Sequence, residues 1–373
     1  MSEDKETKEA ANRNGMSPTF QHWVAQALEV VDSELAVQSV AGDASPRRYF
    51  RVTRNLGSSN ARVYRLGGAS DESITVDTVI AAASPPSENN SAFLAVQKLL
   101  KQSGLSVPRQ FASDLEQGFF LMEDFGDKLL SSVLSPLTAA TYLPKVFEQL
   151  VKLALIPITD LHLPQFDTAR ISEELRVFPE WFAMRHLGLS REELPERILQ
   201  NLSSHLAELF LQQPQCFVHR DFHSRNIMCL DDGSIGLIDF QDAVVGPITY
   251  DVVSVLKDCY INWPRQDQLR WLETYHARLR DRGLADGDLE RFVRDFDLVG
   301  LQRHLRVLGV FARLWLRDEK PGYLRDLPLV LAYTREVLTL YSGELVIAEF
   351  TDWFESVLML RVEQQDWYQG PRS

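Results

Sequence analysis

"FVHRDFHSRNIM", residues 217–228, sets a His, an Arg, an Asp and an Asn at fixed offsets between two apolar flanks. Read onward to residue 240, the order is short apolar strand, "HRDFHSRN", short strand "IMCL", turn "DDGS" and strand "IGLIDF". The layout is hairpin-like, with polar groups at the strand ends. Asp221 and Asn226 stand five apart, and Asp239 follows thirteen later at the end of an apolar strand. Taken singly, each is an ordinary turn former or cap. Taken together, in this order and on this strand layout, they read as chemistry.

The spacing His-Arg-Asp, four residues, Asn, then a strand ending in Asp-Phe is the catalytic-loop and metal-loop pattern of kinases. A hydroxyl that is being phosphorylated needs a carboxylate beside it to orient it and take its proton, which assigns Asp221 as the catalytic group. Mg²⁺ takes hard oxygen ligands and is held by one or two protein groups plus nucleotide phosphates. Asn226 offers an amide oxygen and Asp239 a full charge, so these two are the expected metal ligands.

The remainder of the chain is compatible with that reading. Its 373 residues are 45% hydrophobic and 24% charged, an ordinary globular composition whose length suggests two domains or one large bilobal one. No run approaches the roughly 18 apolar residues of a membrane span. The first 20 residues are polar and of mixed charge, so they read as a solvated tail ending near Pro18 rather than a secretory signal, with Met16 an alternative start. Three scattered cysteines, Cys216, Cys229 and Cys259, support neither a disulfide framework nor a zinc site. The expected compartment is the cytoplasm. With 39 basic and 52 acidic residues the net charge is −13, which argues against nucleic acid as a partner.

Along the chain, residues 21–31 carry apolar positions at helical spacing. "LAVQSVAGDASPRRYFRV" (35–52) reads as strand, tight turn, strand, and 73–83 as a further strand. Residues 55–73 look like a Gly/Ser/Asn-rich surface insertion around a short strand. "AFLAVQKLLKQSG" (92–104) is a helix closed by Gly104. "GFFLMEDFGD" (118–127) is a strand running into acidic and Gly residues, and beyond about residue 130 the pattern is mainly helical. The expected domains are a tail over 1–20, a small β-rich nucleotide-binding lobe over 21–125 and a large helical lobe over 126–373 carrying the catalytic loop and acceptor site.

"VHRDFHSRNIM" and "GLIDFQDAVVGPITYDVVSVLKD" resemble the aminoglycoside phosphotransferase and choline kinase superfamily. "AGDASPRRYFRV", "FFLMEDFGD", "VFPEWF", "GPITYDVVSVLKDCYINWP" and "LVGLQRHLRVLGVFARLWLRDEKPGYL" resemble its bacterial anomeric N-acetylmuramate and N-acetylglucosamine kinases, over about residues 35–335. The resemblance implies an α+β, bilobal protein-kinase-like fold, with ATP and Mg²⁺ as cofactors. It also implies phosphorylation of the anomeric hydroxyl of a small sugar, in cell-wall recycling toward a UDP-sugar. Two rivals stand beside it: a kinase of the same fold for an aminoglycoside or choline, and a non-catalytic nucleotide-binding module.

In such a fold the turn "GDAS" covers the phosphates, where Ser45 offers a hydroxyl. No lysine occurs between Lys8 and Lys98, so the usual phosphate-gripping lysine is missing. Arg47, Arg48 and Arg51 lie just beyond the turn, and Arg48 is the preferred replacement, since a guanidinium fork suits phosphate oxygens. The backbone from Glu123 to Phe125 is expected to carry the adenine.

For the acceptor, 301–314 is a helix with Arg303, Arg306, Arg313 and His304 and not one acid. Two readings compete: a solvated basic face, or a wall of the sugar site that suits a carboxylate-bearing sugar. "EELRVFPEWF" (173–182) offers Glu174, Glu180 and Trp181 as sugar contacts, against plain core packing. Asp242 is expected to support the metal loop or the acceptor, and Asp251 to cap a helix and hold the catalytic loop.

Overall fold

The computed structural model describes residues 15–40, 46–54, 64–67, 73–85, 88–159 and 162–368, with the backbone alone given at 64–67 and 73–76. The chain divides into two compact units. One runs to Lys128 and takes back Leu230–Gln241; the other comprises Leu129–Cys229 and the chain from Asp242 onward. The sequence reading drew a single boundary after residue 125, whereas the first unit reclaims the segment that carries Asp239.

The first unit holds α1 (Pro18–Ala27), β1 (Leu35–Val40), β2 (Arg48–Arg54), β3 (Tyr64–Gly67), β4 (Ser73–Val76) and β5 (Thr78–Ala83). It continues with α2 (Asn90–Gln102), β6 (Gln110–Asp114) and β7 (Phe119–Glu123). β3, inside the expected insertion, pairs with β4, and the segment 73–83 expected as one strand is two, β4 and β5. The main sheet is antiparallel in the order β1-β2-β5-β7-β6. Its register aligns Phe50 with Ala81 and Ala81 with Leu121. Because side chains alternate along a strand, these residues share one face with Val52 and Val79.

α1 lays Met16, Phe20, Val24 and Leu28 on that face to form the core of the unit. The expected tail over 1–20 thus includes residues of this core: Met16 and Phe20 are each 1% exposed. Ser17 caps α1 by accepting the Phe20 N–H. Phe120 projects to the opposite face and meets Phe93 of α2, which also stacks on Phe240 at 5.3 Å. β10 (Ile235–Leu237) belongs to this unit, and the Leu237 N–H donates to the Ser106 carbonyl. A Cβ on Gly236 would fall 2.5 Å from the Phe125 ring, so only glycine admits that ring.

The second unit contains α3 (Ala139–Ala154), α4 (Thr168–Val177), α5 (Glu196–Gln212), β8 (Gln215–Val218), β9 (Ile227–Cys229) and β11 (Val244–Pro247). It continues with α6 (Tyr250–Leu256), α7 (Arg265–Arg280), α8 (Leu289–Leu316), α9 (Leu327–Leu340), α10 (Leu345–Trp353) and α11 (Met359–Val362). β8 pairs with β11. α8 is the axis of the unit, packed by α4, α5, α6 and α9, and it buries residues all round its circumference. That corrects the solvated-face reading of 301–314, since Arg303 is 3% exposed and His304 is fully buried. The arginines are read as surface from charge alone, but a helix apolar on most sides sits inside and carries its polar residues with it.

A nine-residue π-helical stretch, Phe178–His186, follows α4 and lies against α8. The approach is close enough that a Cβ on Gly309 would lie 2.4 Å from the Val177 carbonyl. Behind α8 a buried ion cluster joins Lys257 to Asp297 (2.9 Å), and Asp297 also binds Arg265 and the Tyr341 hydroxyl. The three cysteines are buried and form no disulfide. No helix among the described residues is long and apolar enough to cross a membrane.

Candidate active site

Asp221 follows β8 in the second unit, on a loop held by two carboxylates. Asp251 accepts the backbone N–H groups of His219 at 2.6 Å and Arg220 at 2.9 Å. Asp258 accepts those of Ser224 at 2.9 Å and Tyr260 at 3.2 Å. Between these anchors Arg220 adopts φ +76°, a left-handed conformation that a residue with a side chain seldom occupies. Such a backbone persists where its surroundings over-determine it. Asp251 does hold the loop as expected, but it is not the helix cap. α6 begins at Tyr250 with Thr249 in the cap position, and Asp251 turns both oxygens to the loop instead.

The charge around Asp221 is organised by Glu174 of α4. One oxygen of Glu174 accepts from Arg220 at 2.6 Å, and the other accepts from Gln302 at 3.2 Å and pairs with Arg306 at 3.4 Å. Gln302 and Arg306 are four apart on α8, the spacing that puts two side chains on one helix face. Burial opposes ionisation of Asp221, yet Arg306, then Arg220, His223 and His219, hold its carboxyl below the ordinary value. Asp221 is therefore a carboxylate at neutral pH. Burial, reinforced by Glu174, pushes the Tyr250 hydroxyl up to about 12 and keeps it protonated. Burial likewise pushes Asp251 up to about 7, against its two N–H donors and with the Asp221 charge adding to the rise.

Asn226 donates its side-chain N–H to the Asp221 carbonyl at 3.0 Å, which fixes the amide plane beside the loop. Asp239, in the first unit, has φ +63° and accepts from the Gln241 amide at 2.8 Å. Among the described residues no group of three or more His, Cys, Asp or Glu forms a self-sufficient metal cage.

The other expected residues fall as follows. Glu174, Arg303, Arg306 and Asp242 are electrostatically linked to one another or to Asp221 and Tyr250. Glu180 and Trp181 both engage Arg185, at 2.9 Å and over the ring at 4.1 Å. Ser45 lies outside the described residues. Arg48 is exposed and donates to the Gly15 carbonyl at 3.3 Å. Arg51 forms a bidentate pair with Asp124 and also binds Asp127. Arg47 is buried, bonded to Ser84 at 3.1 Å and set over the Phe93 ring. It shares a neighbourhood with Asp239, since both bear on the Tyr49 hydroxyl, which burial first and then Asp239 push up to about 12. The Glu123 N–H donates to the Arg109 carbonyl.

Sequence reading gave no role to Arg220, Gln302, Tyr250 or Asp258. The four-residue spacing of Gln302 and Arg306 was a usable signal; the pairing of Arg220 with Glu174, 46 residues away, left none.

Comparison with known proteins agrees with this geometry. Residues 36–292 match the phosphotransferase enzyme family. The chain is 36% identical to an N-acetylmuramate/N-acetylglucosamine kinase of Pseudomonas putida over 81% of this chain and 84% of that one. It is 37% identical to a protein of the same name from Pseudomonas aeruginosa, over 82% and 84%. The crystal structure of a choline kinase from Cryptosporidium parvum superposes with a TM-score of 0.59 at 11% identity, covering 90% of this chain and 99% of that chain. That likeness shows the kinase-like α+β fold. The chain belongs to the phosphotransferase enzyme family and is a phosphotransferase with a hydroxyl acceptor.

Proposed function

We propose that the protein transfers the γ-phosphoryl group of ATP to the anomeric hydroxyl of an N-acetylated amino sugar, N-acetylmuramate or N-acetylglucosamine. The products are the sugar 1-phosphate and ADP, and the reaction serves recycling of cell-wall sugars toward a UDP-sugar. The observation that carries this reading is Asp221 on its doubly anchored loop, with Arg220 and Arg306 favouring its charged form. The printed names of the relatives support the choice of acceptor.

In the step itself, the anomeric oxygen forms a bond to Pγ while the bond from Pγ to the β-bridging oxygen breaks. Asp221 orients the hydroxyl and accepts its proton. An anomeric hydroxyl is more acidic than an ordinary alcohol, so a carboxylate is an adequate base. Catalysis is then positioning plus stabilisation of spread negative charge. Asn226 and Asp239 are the proposed Mg²⁺ ligands, and the ion when bound neutralises phosphate charge. Ser45, Arg48 and the buried Arg47 are proposed phosphate contacts, and the Glu123–Phe125 backbone carries the adenine. Glu174, Arg306 and Asp242 are proposed for the acceptor side, with Glu180 and Trp181 at its margin. A cationic acceptor such as choline would meet Arg220, Arg303 and Arg306, which disfavours it.

Asp221→Asn tests the reading. Turnover of the amino sugars is expected to fall below detection while ADP binding, followed by calorimetry, stays within about threefold. Near-wild-type turnover would remove Asp221 from this role.

A further inference from the structure

Arg303 lies on α8 with 3% of its surface exposed, and its Nη1 is buried without a partner. Among the described residues its guanidinium makes no hydrogen bond or ion pair. A buried, unpaired guanidinium is costly to a fold and is seldom retained without a counter-charge. The acids nearest it, Asp258 and Asp221, act on it through space without a hydrogen bond or ion pair to it. Asp258 accepts two backbone N–H groups, Glu174 is shared by Arg220 and Arg306, and Asp221 is already flanked by those arginines and two histidines.

The same neighbourhood gathers further buried polar atoms without partners: the Tyr250 hydroxyl, Gln302 Oε1, Arg220 Nε and Ser224 Oγ. In a native protein such a concentration marks a ligand site rather than a core. The atoms include donors and acceptors, as a polyhydroxylated ring requires. The unpartnered guanidinium nitrogen of Arg303 among them calls for an anionic oxygen as well.

We propose that Arg303 is the specificity determinant of the acceptor site, receiving a carboxylate carried by the sugar, so that an acidic amino sugar is preferred over its neutral counterpart. This rests on the amino-sugar kinase reading above and adds to it which acceptor is favoured and by which residue. The planar guanidinium accepts a carboxylate through two parallel N–H bonds, a geometry a lysine ammonium does not reproduce. The transferring phosphoryl group is a second possible source of negative oxygen, and the experiment separates the two.

The kcat/KM ratio for N-acetylmuramate, which bears the acid, over N-acetylglucosamine, which lacks it, is measured for wild type, Arg303→Met and Arg303→Lys. Thermal unfolding of all three is recorded alongside. Loss of a charge-assisted hydrogen bond is expected to lower the ratio in Arg303→Met by about tenfold to a hundredfold. Arg303→Lys should recover part of it. Arg303→Met should melt no lower than wild type, because it removes a buried unpaired charge. An unchanged ratio would overturn the proposal. So would an equal loss with both sugars, which would put Arg303 on the transferring phosphoryl, or a lowered melting point with the ratio intact, which would make it structural. Wild-type protein that turns over neither sugar would overturn the amino-sugar reading and this inference with it. Turnover of both without acid preference would overturn the inference alone.

Discussion

Asp251→Asn tests how the loop carrying Asp221 is held. The substitution keeps the shape of the side chain but leaves one oxygen for two donors, the His219 and Arg220 N–H groups. One buried N–H then faces an amide nitrogen, at a cost of about 1–3 kcal/mol. A second term has the opposite sign and depends on pH. Burial raises the Asp251 carboxyl to about 7 in the folded protein, from 3.8 ordinarily. A folded-state value raised in this way means that the fold favours the protonated acid. The associated stability is fully present below about pH 4 and is lost as pH climbs through about 7.

Between pH 5 and pH 8 wild type should therefore lose about 2–3 kcal/mol that the neutral asparagine cannot lose. Urea unfolding at pH 5, 6, 7 and 8 should show the variant less stable at pH 5 and level with wild type, or above it, at pH 8. At every pH its kcat should be at least tenfold lower, since Arg220 at φ +76° is no longer held from both sides. A stability difference constant within about 0.5 kcal/mol across that range, or an unaltered kcat, would refute the reasoning.

Other consequences follow from the packing and the charges. Asp297→Ala leaves Lys257, fully buried, without its 2.9 Å partner, and urea unfolding should show a loss of about 3–5 kcal/mol; a loss under about 1 kcal/mol would mean the cluster contributes little. Gly309→Ala drives a methyl to 2.4 Å from the Val177 carbonyl and should cost about 1–3 kcal/mol in the same assay, with kcat/KM falling if the α4–α8 contact positions Glu174 and Arg306. Chelation by EDTA should abolish turnover and excess Mg²⁺ should restore it, while Asn226→Ala should raise the Mg²⁺ concentration for half-maximal rate at least fivefold; an unmoved Mg²⁺ requirement would take Asn226 out of the metal site.

Much of the fold was legible because its signals are local. Alternating Phe50 and Val52 marked a strand with one buried face, and the polar spacing through Asp221, Asn226 and Asp239 singled out the loop proposed as catalytic without any tertiary information. The loop-holding role of Asp251 was also readable, though its position as a cap was not, because a carboxylate next to a helix start serves either purpose. What escaped the sequence is long-range. Nothing local tells Glu174 that it will join Arg220 and Arg306, and nothing in an arginine-rich segment says that α8 runs through the middle of its unit. The π-helical stretch of Phe178–His186 carries no marked apolar stripe at helical spacing from which it could be read. The return of Leu230–Gln241 to the first unit depends on contacts such as Leu237 with Ser106, which periodicity does not record.

The account turns on one chemical event, phosphate arriving on the anomeric oxygen of an amino sugar with Asp221 beside it. ³¹P NMR of the protein with ATP, Mg²⁺ and N-acetylmuramate measures that event directly. The expected result is a new, acid-labile phosphate signal coupled to the anomeric proton, growing in step with ADP and absent with Asp221→Asn. A phosphate on any other hydroxyl, or ADP formed without a sugar phosphate, would contradict the account.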